Sequence, residues 1–152
     1  MTPGTVQLKT VAAKAQGIRE MLAATGSLPL ATVAEFSSDP RMVAAGESFL
    51  RRALEGLLDL GRHVLAKGFG RVVPEYAAIA DELAAEGILT VDDARKLRVM
   101  ARYRNRMVHF YEEVSPSELY EILTKERGDV EAVLGAILAW LADHPEASTS
   151  EL

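Results

Sequence analysis

Arginine, asparagine, histidine and tyrosine crowd one ten-residue segment, Arg102-Tyr-Arg-Asn-Arg-Met-Val-His-Phe-Tyr111. Six of the chain's seventeen Lys and Arg residues (Arg95, Lys96, Arg98, Arg102, Arg104, Arg106) lie in it or just before it. No acid occurs from Ala94 to Tyr111. Histidine is the side chain best suited to moving protons near neutral pH. Arginine can hold a phosphate through two N–H groups and stabilise the charge that develops on it. Together they suit phosphodiester cleavage with a ribose 2′-hydroxyl as nucleophile and no metal. On a helix turning about 100° per residue, Arg98, Arg102, Asn105 and His109 fall on one stripe. A solvated basic face accounts for arginines there but does not call for Asn and His.

The other two histidines have plainer surroundings. His63 ends a polar stripe of Arg51, Glu55, Asp59 and His63 at successive i,i+4 positions, where Asp59 is its expected partner. His144 stands beside a proline in a polar tail. There is no cysteine, no His or Cys pair at metal spacing, no phosphate-cradling glycine loop and no nucleophile elbow. No metal site and no cofactor is therefore expected.

These residues need a scaffold, and the rest of the chain reads as one. At 152 residues and 49% hydrophobic composition it is long and apolar enough for one domain with a real core. No run approaches the ~20 apolar residues that span a bilayer, so no membrane association is expected. The lack of cysteine fits a reducing cytoplasm. The net charge of −5 argues against a general nucleic-acid coat but leaves room for a local basic cleft.

Helical periodicity dominates. A first helix is expected over residues 5–25, closed by Gly26-Ser27, with a connector following to Pro40. Leu50, Ala53, Leu54, Leu57, Leu58 and Val64 or Leu65 predict a second helix over about 41–66. A short helix is expected from Pro74 to Glu86, and another from 91 through 110 behind a Thr90 cap. Ser115-Pro-Ser-Glu118 starts the last helix, with a break or kink at Gly128-Asp129 and Trp140 as core or interface. No stretch alternates as a strand does, and residues 145–152 read as a frayed tail. The expected fold is an all-α bundle of about five helices in a single domain, 1–152, with its core over about 41–142.

Arg104-Asn105, three residues, His109, one residue, Tyr111 resembles the signature of the HEPN superfamily, and most closely its HepT-like branch. Asp59-Leu-Gly-Arg-His-Val64, Pro74-Glu-Tyr76, Glu86-Gly-Ile-Leu89 and Tyr120-Glu-Ile-Leu123 are also similar to that branch. The resemblance covers roughly residues 41–142. It implies a homodimer in which the motif-bearing helices meet across a cleft, and a metal-independent endoribonuclease toxin acting on RNA. It further implies a minimal nucleotidyltransferase antitoxin that silences the toxin by adding AMP to tyrosine. Carried over residue by residue, Arg104 contacts the scissile phosphate, Asn105 supports the site, His109 is the general acid or base, and Tyr111 is the modification target. Arg98, Arg102 and Arg106 become an RNA-binding surround, with Asp59 and His63 as supporting residues. Silent members exist, so the alternative is a non-catalytic HEPN module that binds a nucleotide or a protein.

Helix geometry poses a problem for this site. Arg104 and His109 are five residues apart, roughly 140° around an ideal helix. Either the helix ends or distorts near His109, or the long arginine bends round, or a dimer supplies the two groups from different chains. The expectation is the last, with His109 and Arg104 acting across a dimer cleft. Arg102 is a rival for the arginine role. Arg104 also lies near the apolar seam of Leu97, Ala101 and Val108, where a charge needs a partner such as phosphate, Glu55 or Asp59. Tyr111, read without the motif, is an amphipathic packing residue with its hydroxyl in water.

Overall fold

A computed structural model describes residues 5–109 and 113–149. Helix α1 (Leu8–Thr25) is followed by a short α2 (Val33–Ser37), inside the segment read as a bare connector. Thr32 accepts the Glu35 N–H at 3.1 Å and caps that short helix, while Phe36 anchors it in the core. The long central helix α3 (Pro40–Phe69) starts where Asp39 accepts the Arg41 N–H and Pro40 occupies the first turn. It stops at Gly70, whose φ of 66° suits glycine and closes the last turn onto Ala66 and Leu65.

Helix α3 is the axis of the core. Leu50, Leu54, Leu57, Leu58, Leu60 and Leu65 are all fully buried along it. They pack among Ile18 of α1, Ile79 and Leu83 of α4 (Tyr76–Ala85), Leu97 of α5 (Val91–Val108) and Val133, Leu134 and Ile137 of the last helix. Gly61 lets α4 approach closely: a methyl group there would lie 2.9 Å from Ile79 Cγ2 and 3.0 Å from Leu83 Cδ1. That close approach brings Tyr76, the first residue of α4, beside α3.

Helix α5 opens on Thr90, which accepts the Asp93 N–H at 3.1 Å, as its sequence predicts. It ends at Val108, two residues short of the expectation, and His109 is extended at φ −110°, ψ 116°. Val, His, Phe and Tyr in succession all have weak helix propensity, which favours an early exit. Ser115 caps α6 (Pro116–Glu121) through the Glu118 N–H. A π-helical turn at Ile122–Glu126 joins it to α7 (Arg127–Asp143). The irregularity therefore lies just ahead of Gly128-Asp129.

Residues 145–149 differ from the frayed expectation, and the rest of the tail lies outside the described residues. Pro145–Ala147 form a 3₁₀ turn, and Ser148–Thr149 pair in parallel with Val6–Gln7. Val6 is fully buried, and that anchoring gives the two-residue strand pair its place despite the lack of alternation. Among the described residues, no helix is long and apolar enough to cross a membrane.

Candidate functional site

Three helices and the segment before α4 enclose a polar cavity of about 460 Å³. Its walls are Arg62 from α3, Pro74 to Ala77 from the start of α4, and Arg104, Asn105 and His109 from the end of α5. The termination of α5 is what brings His109 to the same cavity as Arg104 within one chain. The helix end near His109, one of the arrangements open to the sequence, is present in the single chain.

Arg104 is tightly engaged. Its Nη2 and Nε donate to Glu55 Oε2 at 3.0 and 3.3 Å, and its Nη1 donates to Asn105 Oδ1 at 3.3 Å. Arg51 Nη1 holds the other Glu55 oxygen at 2.6 Å. Glu55 is thus the carboxylate partner that a charge near the apolar seam needs. A guanidinium has five N–H groups, and these contacts use three. Among the described residues, one N–H on each terminal nitrogen stays available to a ligand.

Tyr76 joins the arginines to α3. The Arg104 and Arg62 Cζ atoms lie 4.7 and 4.6 Å from its ring centroid, within cation–π range. Its hydroxyl donates to Asp59 Oδ1 at 2.7 Å. Burial and that bond push the Tyr76 pKa up to about 12, so the phenol stays a neutral donor. Arg62 donates to the Val73 and Pro74 carbonyls at 3.1 and 2.7 Å and to Asp59 at 3.4 Å. It thereby ties the segment before α4 to α3.

The expected basic surround is largely neutralised. Arg98 pairs with Asp81 of α4 at 2.6 Å. Arg106 projects to the other side of α5, where Nη1 and Nη2 grip Glu118 at 2.6 and 2.8 Å. Arg102 is exposed and forms no salt bridge among the described residues, and it does not line the cavity, whereas Arg104 and Arg62 do. Asp59 supports the site through Tyr76. It does not partner His63, whose Nε2 instead accepts the Gln7 backbone N–H at 3.4 Å. Burial, then the charges of Lys14 and Lys67, lowers the His63 pKa, keeping that ring neutral as an acceptor. His63 faces the N-terminal strand because Asp59 is already committed to Tyr76 and Arg62. Tyr111 lies outside the described residues. No cluster of three potential metal ligands occurs among the described residues.

Arg62 and Tyr76 are the site residues that composition and periodicity missed. Both sit in the stretches 59–64 and 74–76 that resemble the HepT-like branch, and that resemblance is the signal that could have found them.

The fold is shared with HEPN toxins. A tri-AMPylated HEPN toxin from Shewanella oneidensis, in complex with an MNT antitoxin, superposes with a TM-score of 0.78 at 18% identity, covering 86% of this chain and 97% of that one. A cytosolic protein of unknown function from Bacillus subtilis, YutE, gives 0.76 at 18% identity with 94% of each chain covered. A toxin of a toxin–antitoxin pair crystallised with AMP-PNP gives 0.77 at 18% identity, over 86% and 98%. No curated protein sequence matches the chain. The profile of the family described as Ribonuclease HepT-like matches residues 18–137. The chain belongs to the HepT-like ribonuclease family.

Proposed function

We propose that this protein is a HEPN-type endoribonuclease toxin, controlled by a minimal nucleotidyltransferase, and that the cavity of Arg104, Asn105 and His109 is its active site. The observation that carries this reading is the convergence of those three side chains on one cavity, with an arginine that keeps two N–H groups available. Arg104 binds the scissile phosphate of single-stranded or looped RNA, whose backbone can adopt the attack geometry. The 2′-oxygen attacks phosphorus as its proton leaves to a base. The 5′-oxygen departs with a proton from an acid, leaving a cyclic phosphate. His109 serves as one of these two groups, and Asn105 steadies Arg104 through its carbonyl oxygen. A second copy of the chain, joined through the motif-bearing helices, completes the cleft. No metal takes part. The paired nucleotidyltransferase silences the toxin by transferring AMP to the Tyr111 hydroxyl.

His109→Ala is expected to abolish RNA cleavage measured in chelator while leaving helix content unchanged. Cleavage that persists in that variant, or that wild type shows only with divalent metal, rejects the mechanism. Intact mass after co-expression with a minimal nucleotidyltransferase tests the modification: an added AMP that Tyr111→Phe removes is the expected result. A clean preparation that binds ATP or the partner yet cleaves no RNA favours the non-catalytic module instead.

A further inference from the structure

We infer that Tyr76 is the positioning residue for Arg104, its ring fixing the plane of the guanidinium that meets the substrate phosphate. The inference rests on the ribonuclease reading above. Glu55 alone cannot set that plane. Both of the Arg104 N–H groups it receives go to the single oxygen Oε2, a pivot about which the guanidinium can swing. The other Glu55 oxygen is taken by Arg51. Asn105 adds a long 3.3 Å bond from the neighbouring residue of the same helix. The Arg104 Cζ sits over the Tyr76 ring, 4.7 Å from its centroid, so the ring is the face that can fix the plane of the guanidinium.

Tyr76 is itself well anchored. Its 2.7 Å hydrogen bond reaches across to Asp59 on α3. Arg62, also over the ring, holds the carbonyls of Val73 and Pro74 directly before it. Support therefore runs from the rigid central helix through Asp59 and Arg62 to Tyr76, and from Tyr76 to the plane of Arg104. A reacting group held this way presents its two remaining N–H donors in one direction, and small misplacements at a reacting centre cost rate steeply.

Tyr76→Leu, which removes the ring, is expected to lower the single-turnover rate of RNA cleavage by roughly 10- to 100-fold, the scale of a misplacement of about 1 Å. The loss should fall on kcat rather than KM. Tyr76→Phe, which keeps the ring, should stay within a few-fold of wild type. In an Arg104→Lys background, whose side chain has no plane to orient, Tyr76→Leu should cost little more. Equal losses for Leu and Phe would overturn the assignment, because the hydroxyl would then be what matters. An undiminished Tyr76→Leu cost in the Arg104→Lys background would overturn it too. A reading independent of cleavage comes from the arginine Nε–H resonances in a proton–nitrogen NMR spectrum. Arg104 Hε is expected at a ring-shifted position that Tyr76→Leu abolishes and Tyr76→Phe preserves, and an unshifted wild-type resonance would sink the clamp. Wild type that cleaves no RNA rejects the ribonuclease reading, and the resonance then decides the clamp alone.

Discussion

Arg104 and Arg106 stand two residues apart on α5, about 200° apart around the helix, and each side repeats one pattern. On the first, arginine pairs with Glu55 and the Tyr76 hydroxyl donates to Asp59. On the second, arginine pairs with Glu118 and the Tyr103 hydroxyl donates to Glu126 at 2.9 Å. The difference is which edge of the guanidinium the carboxylate takes. Glu118 receives both terminal nitrogens, one on each oxygen, in the two-pronged geometry a phosphate would use. Glu55 takes the Nε side of Arg104, so each terminal nitrogen keeps a donor for a ligand. Arg106 also bonds the Glu113 carbonyl at 3.2 Å, fastening the chain beyond His109 to α5. The same residue type therefore does structural work on one side and presents donors on the other.

The strongest way to break this contrast is to truncate each arginine in turn. Arg104→Ala is expected to lower RNA cleavage by about 10²- to 10³-fold, the scale of losing one preorganised donor to a developing charge. Arg106→Ala should lower it by less than about tenfold. Equal losses would mean that the edge geometry does not separate the two roles. His109 borders both the 460 Å³ cavity and a smaller one of about 330 Å³ that Arg106 shares with Val43, Met107, Val114 and Pro116. Some loss in Arg106→Ala is therefore expected through the placement of His109.

Much of this division was legible in the sequence, but not its geometry. The helical fold followed from the 3.6-residue recurrence of leucines on α3 and from caps such as Thr90 and Ser115. Asn105 and His109 stood out as residue types that packing does not explain, on a stripe with Arg98 and Arg102, whereas Arg104 came only from the resemblance to the HepT-like motif. What periodicity could not give was the point at which α5 stops. No Gly or Pro marks it, and only a run of weak helix formers hints at it. Three arginines at 102, 104 and 106 also look alike in one dimension. Their roles depend on acids at positions 55 and 118, far away in the chain. His63 shows the same limit: an i−4 aspartate suggested a partner, but Tyr76 from another helix claims it. The 6–7 with 148–149 pairing is too short to leave a pattern.

A smaller effect sharpens the structural side. The Arg106–Glu118 pair is about one-third exposed, so Arg106→Ala should cost only about 1 kcal/mol, less at high salt. For a chain of this size that is a fall in Tm of about 2–4 °C. The loss should depend on pH with a definite sign. The hydrogen bond from Arg106 outweighs burial and holds the Glu118 carboxyl below its ordinary 4.5. A group lowered in the folded state contributes stability above its ordinary pKa and loses it as pH falls through the folded value. Thermal melts of wild type and Arg106→Ala should thus differ at neutral pH and converge as the solution is acidified below about 4.5. A gap that stays constant to pH 3 would show that Arg106 acts through packing rather than through this ion pair.

The smallest effect concerns the two tyrosines, and it probes both sides at once. Tyr76 and Tyr103 are each pushed up to about 12, first by burial and then by donating to a carboxylate. The charges around them differ: Arg62 and Arg104 pull Tyr76 back down, whereas Glu118 adds to the rise at Tyr103 and Arg106 opposes it. A phenol whose folded pKa is raised contributes stability that is whole below its ordinary value near 10, and loses it as pH climbs toward 12. Phenolate absorbance in the folded protein should therefore show both groups un-ionised at pH 10, and Tyr76→Phe and Tyr103→Phe should each delete one late-titrating phenol. Removing the opposing arginine separates the two sides further. Arg104→Ala should move Tyr76 upward and leave Tyr103 in place, while Arg106→Ala should move Tyr103 and spare Tyr76. If either substitution shifts both phenols, the two faces of α5 are electrostatically one region, and the contrast between the arginines rests on hydrogen-bond geometry alone.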